Sequence, residues 1–192
     1  MSHFFAYLSK MKFITRWSLM RNTWHENLQE HSLQVATIAH ALAVVRNRFY
    51  NGQLNPERVA LLALYHDAGE VIVGDLPTPI KYFNPTIRQA YGELEKDARQ
   101  RLLGMLPEEL RPDFASLFSP AEEDHQHAAV IAAADKICAY IKCLEERRAG
   151  NLEFSEAEKS IRAAIDAFDA PEVAYFVEHF IDSFSLTLDE LN

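Results

Sequence analysis

The chain has 192 residues, 48% of them hydrophobic and 24% charged, the balance of an ordinary globular protein with enough length to bury a core. A formal net charge of -9 excludes a broad basic face for nucleic acid, so an anionic ligand would need local Arg or Lys residues or a metal. The two cysteines, Cys138 and Cys143, share one apolar segment and give no disulfide framework, which makes the reducing cytoplasm the expected compartment.

The opening stretch MSHFFAYLSKMKFITRW is interrupted by Lys10 and Lys12 and has the features of neither a secretory signal nor a span. No later run reaches membrane length, so no membrane association is expected. Phe4, Phe5, Leu8, Met11 and Ile14 recur at three- and four-residue spacing and predict an amphipathic helix. A polar stretch with Arg16, Trp17 and Arg21 follows. The second helix is expected from about Leu28 to Val45, burying Leu28, Val35, Ile38, Leu42 and Val45.

After the loop FYNGQLNP, Asn55-Pro56 supplies a helix start, and PERVALLALYHDAG reads as a third helix that ends or kinks near Gly69. The stretch GDLPTPIKYFNP must be a loop with at most a short helical turn. A charged helix, TIRQAYGELEKDARQRLLGML, leads into a linker punctuated by Pro107, Pro112 and Pro120. A long helix is expected from about Asp124 to Ala149, stopped by Gly150, before a last amphipathic region ending near Phe184. With no repeat and no strand ladder, the pattern predicts an all-α bundle, one domain over residues 1–192.

Three of these helices carry side chains out of keeping with their surroundings. His31 interrupts an amphipathic pattern, His66 and Asp67 close an Ala/Leu run, and Asp135 follows three alanines with no arginine within a turn. A carboxylate so placed must sit at an edge, pair with a cation or ligate a metal. Two imidazoles and two carboxylates from facing helices form a mixed N/O donor set, suited to Mn, Co, Fe or Zn.

The order His31, His66-Asp67, Asp135 resembles the HD-domain metal-dependent phosphohydrolases. Arg16-Trp17, EHSLQVA around His31, HDAGEV and GDLPTP are similar to the bacterial 5′-deoxynucleotidase branch of that family, across nearly the whole chain. The resemblance implies an HD-domain helical bundle holding one divalent cation through His31, His66, Asp67 and Asp135, with no organic cofactor. It implies hydrolysis of deoxynucleoside 5′-monophosphates by a homodimer that binds no nucleic acid. A metal acidifies water and neutralises phosphate oxygens, which suits a monoester slow to hydrolyse unaided.

Glu70, three residues after Asp67 and four after His66, shares their face if the helix continues, and the resemblance supports it as general base. Asp75 would face the sugar or the leaving 5′ oxygen, and Leu76, Pro77 and Thr78 resemble the family's substrate-binding segment. Arg16 can clamp a phosphate bidentately. Trp17 would pack on the sugar or help fix the phosphate, and His31, Asp67 and Asp135 would border the substrate as well as the metal. Lys81 is a further source of positive charge at the rim.

Other readings remain open. An HD hydrolase of a nucleoside triphosphate or alarmone needs more positive charge than this chain offers. A dinuclear site would need extra histidines, for which His125 and His127 are candidates, although their i, i+2 spacing favours capping or surface roles. A non-catalytic helical module with a structural metal is the third. The stretch HENLQEH does not fit a zinc-protease helix, because its histidines are six apart where H-E-x-x-H needs four. Walker, G-x-G-x-x-G and G-x-S-x-G motifs are absent.

Overall fold

Three asparagines open the helices that frame the protein. In the computed structural model, which describes residues 1–119 and 124–191, the Asn27 side chain accepts the N–H groups of Gln29 and Glu30 and starts α2 (Leu28–Phe49), with Glu30 reaching back in a capping box. Asn55 caps α3 (Pro56–Tyr65) and Asn84 caps α6 (Pro85–Gly104), each just before a proline whose missing N–H costs a helix start nothing. Short helices complete the first half: α1 (Phe4–Leu8), α4 (Glu70–Val73) and α5 (Thr78–Lys81). The second half has α7 (Arg111–Phe118), α8 (His125–Arg148), α9 (Ser155–Asp166) and α10 (Pro171–Phe180). Among the described residues the one β feature is a single antiparallel bridge, Thr15 to Asn27.

The core forms two clusters that share α3. In the larger, Val35, Ile38, Ala39 and Leu42 of α2 pack on Val59 and Ala63 of α3, on Ala134, Ile137 and Ile141 of α8, and on Val173 and Phe176 of α10. In the smaller, Leu62 of α3 and Ala68 meet Phe4, Leu102, Leu117 and Phe118. The phenyl ring of Phe4 stands edge-on to Phe114 and Phe118, 5.3 and 6.0 Å between centroids. Alanines at 133 and 134 keep α8 slim where it faces α2, so a polar side chain at 135 can reach across.

Several expected boundaries shift. The first helix gives way at Ser9 to a 3-10 turn, Ser9–Phe13, and Phe5 points outward while Phe4 and Met11 are buried. The third helix ends at Tyr65, ahead of Gly69. Part of the expected linker is helical, because Pro112 falls in the first turn of α7, where proline is compatible with a helix; Pro120 lies outside the described residues. The long helix matches its expected span, and Gly150 follows it at φ +84°. Val173, Phe176 and Ile181 of the last amphipathic region go into the core. No helix among the described residues is long and apolar enough to cross a membrane.

Residues 14–27 form an arm closed at its base and pinned at its tip. Leu28 N–H donates to the Ile14 carbonyl and Arg16 N–H to that of Glu26. At the tip, the fully buried Glu146 carboxylate accepts Thr23 N–H (2.9 Å), Thr23 Oγ1 (2.6 Å), Trp24 N–H (3.2 Å) and Asn151 Nδ2 (2.8 Å). Lys142, also buried, donates to Glu146 and to the Trp24 carbonyl. Burial opposes the charge on Glu146, but these donors outweigh it and hold the carboxyl well below its usual range. Replacing Glu146 with Ala strands the Lys142 ammonium, so a loss of about 3–5 kcal/mol is expected in urea unfolding.

A second buried carboxylate ties α3 to the start of α8. Asp124 accepts Arg58 Nη2 at 2.7 Å and lies 2.8 Å from His127 Nδ1. The Arg58 hydrogen bonds, outweighing burial, bring its pKa from 3.8 down to about 2. The native carboxyl therefore binds fewer protons than the unfolded one. Its stabilisation is complete above the unfolded value and fades as pH falls from about 4 toward 2. The urea midpoint is expected to drop over that interval, and Asp124→Asn, though less stable at pH 7, is expected to show a shallower drop.

Candidate functional site

The capping box at Asn27 fixes the first turn of α2, and with it His31, whose ring is buried at 1% exposure. The end of α3 supplies the second imidazole. His66 is the C-cap residue, and its Nδ1 lies 2.6 Å from the Ala63 carbonyl, a contact that places the proton on Nδ1 and leaves Nε2 with a free lone pair. The chain then turns tightly, with Ala68 N–H on the Tyr65 carbonyl and Glu70 N–H on that of Asp67. Gly69 lets the turn lie close to α6, where a β-carbon would sit 3.2 Å from Arg99 Cγ and require that side chain to give way.

His31, His66 and Asp67 bring one donor atom each to within 4.8 Å of one another. His66 Nε2 is 3.0 Å and His31 Nε2 is 3.7 Å from Asp67 Oδ2. Asp135, from the middle of α8, lies outside that group of three but reaches the same nitrogen, its Oδ1 3.2 Å from His31 Nε2. Two donors each about 2.1 Å from one ion lie roughly 3.0 Å apart at a right angle and about 3.4 Å at the tetrahedral angle. The three separations bracket that range. Nε2 of His31 and Nε2 of His66 are buried without a hydrogen-bond partner, the condition of lone pairs arranged for a cation, and Nδ1 of His31, also unpartnered, is left to carry that ring's proton. The residues present fit a divalent ion bound by nitrogen and oxygen.

The charges around the group are strongly interdependent. Burial works against the ionised form of Asp67, but His66 and then His31 outweigh it and lower its pKa. Asp135 likewise lies below its usual range, His31 overcoming burial. His66 is raised by Asp67 and Asp135 in spite of its burial. Lys136 adds a contact at 3.6 Å to the other oxygen of Asp135, so that carboxylate has an ion partner one residue away in sequence.

Glu70 begins α4 instead of continuing α3, so the turn, and not a shared helical face, sets its position. Its carboxyl is buried, Oε2 has no hydrogen-bond partner, and burial together with the charges of Asp67 and Asp75 pushes its pKa up to about 9. A bound cation would draw that value down. Asp75, Leu76 and Pro77 lie half-buried in the extended loop after Gly74, and Thr78 is exposed at the start of α5. Burial raises the Asp75 pKa against the pull of Arg16. The loop is held at both ends: Tyr91 Oη donates to the Gly74 carbonyl at 2.7 Å, and Lys81 pairs with Glu95 at 2.8 Å. Lys81 thus spends its charge largely on α6, and its field reaches Glu70 only as one contribution among several.

Arg16 enters from the arm. Its Nη1 is 3.8 Å from Asp67 Oδ2, and its Nε donates to Glu26 Oε2 at 3.2 Å. Burial is outweighed by Glu26, Asp67, Asp135 and Asp75, which together raise the Arg16 pKa. Trp17 adopts φ +58°, a left-handed conformation costing on the order of 1–3 kcal/mol in a bulky residue. It is held there by Nε1–H to Glu26 Oε2 at 3.0 Å and by packing on Phe154, 5.3 Å between rings. Its indole therefore faces protein on at least one side.

Two residues of this region escaped the sequence reading. Glu26 lay inside a stretch tested only as a zinc-protease helix, and Tyr91 carried no motif at all. His127 is engaged by Asp124 and by Asn55 N–H, and His125 is exposed, so neither joins the His31–His66 group.

Residues 3–184 match the protein family described as 5'-deoxynucleotidase YfbR-like. A 5'-deoxynucleotidase of Vibrio cholerae serotype O1 is 54% identical over 191 residues, covering 100% of this chain and 98% of its own. Among solved structures, an HD-domain phosphohydrolase from Listeria innocua superposes with a TM-score of 0.83 at 23% identity, covering 95% of this chain and 88% of its own. An HD phosphohydrolase of cyanophage S-2L, solved with dA and one catalytic Zn2+, gives a TM-score of 0.65 at 16% identity over 93% of this chain and 96% of its own. These two share the fold.

If the orphaned nitrogens are ligands, a divalent ion must stabilise the native state. At about 100 times its dissociation constant, Zn2+ or Co2+ would add roughly 2.7 kcal/mol. That corresponds to a rise in Tm of about 5–10 °C for a chain of this size. Scanning calorimetry of the metal-stripped protein is expected to show the rise, and His66→Ala to abolish it.

Proposed function

The chain belongs to the YfbR-like 5'-deoxynucleotidase family, and from that premise we propose that it hydrolyses deoxynucleoside 5′-monophosphates to deoxynucleoside and orthophosphate. The observation that carries the reading is the convergence of His31, His66 and Asp67, with Asp135 at their edge, beside the guanidinium of Arg16. His31, His66, Asp67 and Asp135 would hold one divalent cation, with Co, Mn, Fe and Zn all compatible with the donors. When bound, such a cation supplies Lewis acidity and the positive charge that a chain of net charge -9 otherwise lacks.

The protein's own groups divide the remaining work. Arg16 presents the amino edge of its guanidinium to the phosphate, its Nε already taken by Glu26. Glu70, buried with one oxygen unpartnered, accepts the proton of the water whose oxygen bonds to phosphorus. As the bond from phosphorus to the 5′ oxygen breaks, the leaving oxygen takes a proton from Asp75, whose pKa burial raises, and becomes the 5′ hydroxyl, with Leu76, Pro77 and Thr78 forming the wall behind. Trp17, fixed on Glu26 and Phe154, bounds the sugar side. A stiff loop anchored on Tyr91 and Glu95 suits a pocket that must hold one substrate geometry.

The two buried free thiols, Cys138 and Cys143, suit a reducing compartment, and the reading places the enzyme in the cytoplasm as a homodimer. A triphosphate or alarmone substrate is less well served: beyond Arg16 the nearest candidate, Lys81, is engaged by Glu95, leaving little positive charge for a polyphosphate. The decisive assay measures phosphate release from matched deoxy- and ribonucleoside 5′-monophosphates, with EDTA and then with each divalent ion. Orthophosphate from the deoxy substrates, lost in EDTA, is the expected result; pyrophosphate or tripolyphosphate from longer substrates alone would overturn it. Glu70→Ala is expected to retain its metal content while kcat falls by about 10²–10⁴.

A further inference from the structure

One carboxylate, Glu26, touches both halves of this site. Glu26 closes the base of the arm, its backbone carbonyl accepting Arg16 N–H. Its Oε2 accepts two side-chain donors, Arg16 Nε at 3.2 Å and Trp17 Nε1 at 3.0 Å. Its Oε1 faces His31, 3.9 Å from Nδ1, the nitrogen on the opposite edge of the ring from Asp67 and Asp135. The carboxyl group is largely buried, 11% exposed, among an arginine that is 13% exposed and an imidazole that is not exposed at all.

Each of these contacts has a distinct physical effect. Binding Arg16 through Nε turns the guanidinium so that Nη1 points at Asp67, where it lies 3.8 Å from Oδ2. An arginine held side-on in this way keeps its two amino groups for a phosphate and loses less rotational freedom when one binds. Binding Trp17 on the same oxygen stabilises its left-handed backbone, the bend that aims Arg16 inward. On the third side, a carboxylate beside Nδ1 keeps the proton of His31 on that nitrogen, so that Nε2 offers its lone pair to the cation. The 3.9 Å gap is too long for a direct hydrogen bond, and Nδ1 has no other hydrogen-bond partner. At that separation the carboxylate acts on the Nδ1 proton through its charge, in a pocket largely withdrawn from water.

We propose that Glu26 is a positioning residue that ties the cation group to the phosphate arm, setting the tautomer of His31 with one oxygen and the orientation of Arg16 and Trp17 with the other. The inference rests on the reading of His31 as a metal ligand and Arg16 as the phosphate clamp. It assigns Glu26 no contact with substrate. Loss of its charge should therefore weaken two binding events that a local defect would affect singly, and Arg16→Ala should weaken only the second.

The test compares wild type, Glu26→Gln, Glu26→Asp and Arg16→Ala, each first checked for native circular dichroism. Co2+ affinity is read from the visible absorption of the cobalt-loaded protein, and inorganic phosphate affinity from its competition in the deoxynucleotide assay or from calorimetry. Glu26→Gln is expected to bind Co2+ about 10- to 100-fold more weakly with an altered spectrum, and phosphate more weakly as well. Glu26→Asp, which keeps the charge but withdraws it by one methylene, is expected to recover part of both. Arg16→Ala, which removes a cation 3.8 Å from Asp67, is expected not to weaken Co2+ binding.

Wild-type affinity for either ligand in Glu26→Gln overturns the proposal. If the variants fail to fold, ¹⁵N-histidine spectra of the zinc-loaded wild type decide, with Nδ1 of His31 protonated on the proposal and metal-bound if it is wrong. Should the wild type hydrolyse no deoxynucleotide while Glu26→Gln still lowers both affinities, the proposed activity fails and the positioning role stands.

Discussion

Four acidic side chains, Glu26, Asp67, Asp75 and Asp135, act on a single guanidinium, and two of them crowd the buried imidazole of His31 and the half-buried one of His66. Negative charge gathered at this density, in a region partly withdrawn from water, is stable only with positive charge in its midst. Arg16 supplies part of it, and the geometry of the lone pairs reserves a place for the rest. The surrounding architecture answers to that need. α2 presents His31 on a capped first turn, α3 ends on His66, α8 is thinned by alanines beside Asp135, and the arm is bent through an unfavourable Trp17 conformation to bring the arginine in.

The site also shows why its members differ in character though they share one pocket. Asp67 and Asp135 face imidazoles that outweigh their burial and keep them ionised, whereas at Glu70 burial is reinforced by the charges of Asp67 and Asp75 and drives the group toward the proton-holding form. Carboxyl groups close together are thus pushed apart in proton affinity, the condition for one to serve as a fixed charge while another exchanges protons. Burial alone would not do this. It is the sign of the adjacent group that separates them.

Much of this was legible in the chain itself. The 3.6-residue apolar pattern located α2 and α8, Asn55-Pro56 located the start of α3, and the isolated Asp135 among alanines marked a carboxylate that had to sit at an edge, pair with a cation or ligate a metal. What the pattern did not carry was set by contacts distant in sequence. α3 stops at Tyr65 because the turn that follows packs Ala68 against Leu102 and Leu117, so Glu70 reaches its place by a different route from the one its spacing suggested. Pro112 looked like a breaker but lies in the first turn of a helix, where it fits. Glu26 was obscured because its partners are Arg16 and Trp17 across a closed loop, a relation without periodicity.

The pinning of the arm on Glu146 has a consequence for how the protein is made. Thr23 and the carboxylate that captures it are separated by 123 residues. A chain emerging from its N-terminus therefore displays Arg16 and Trp17 long before the helix that anchors them exists. His31, His66 and Asp67 can already meet at that stage, since α2 and α3 are neighbours in order as well as in space. Asp135 and the anchor of the arm both lie on α8, so the last carboxylate of the group and Arg16 are seated together, late and by one helix.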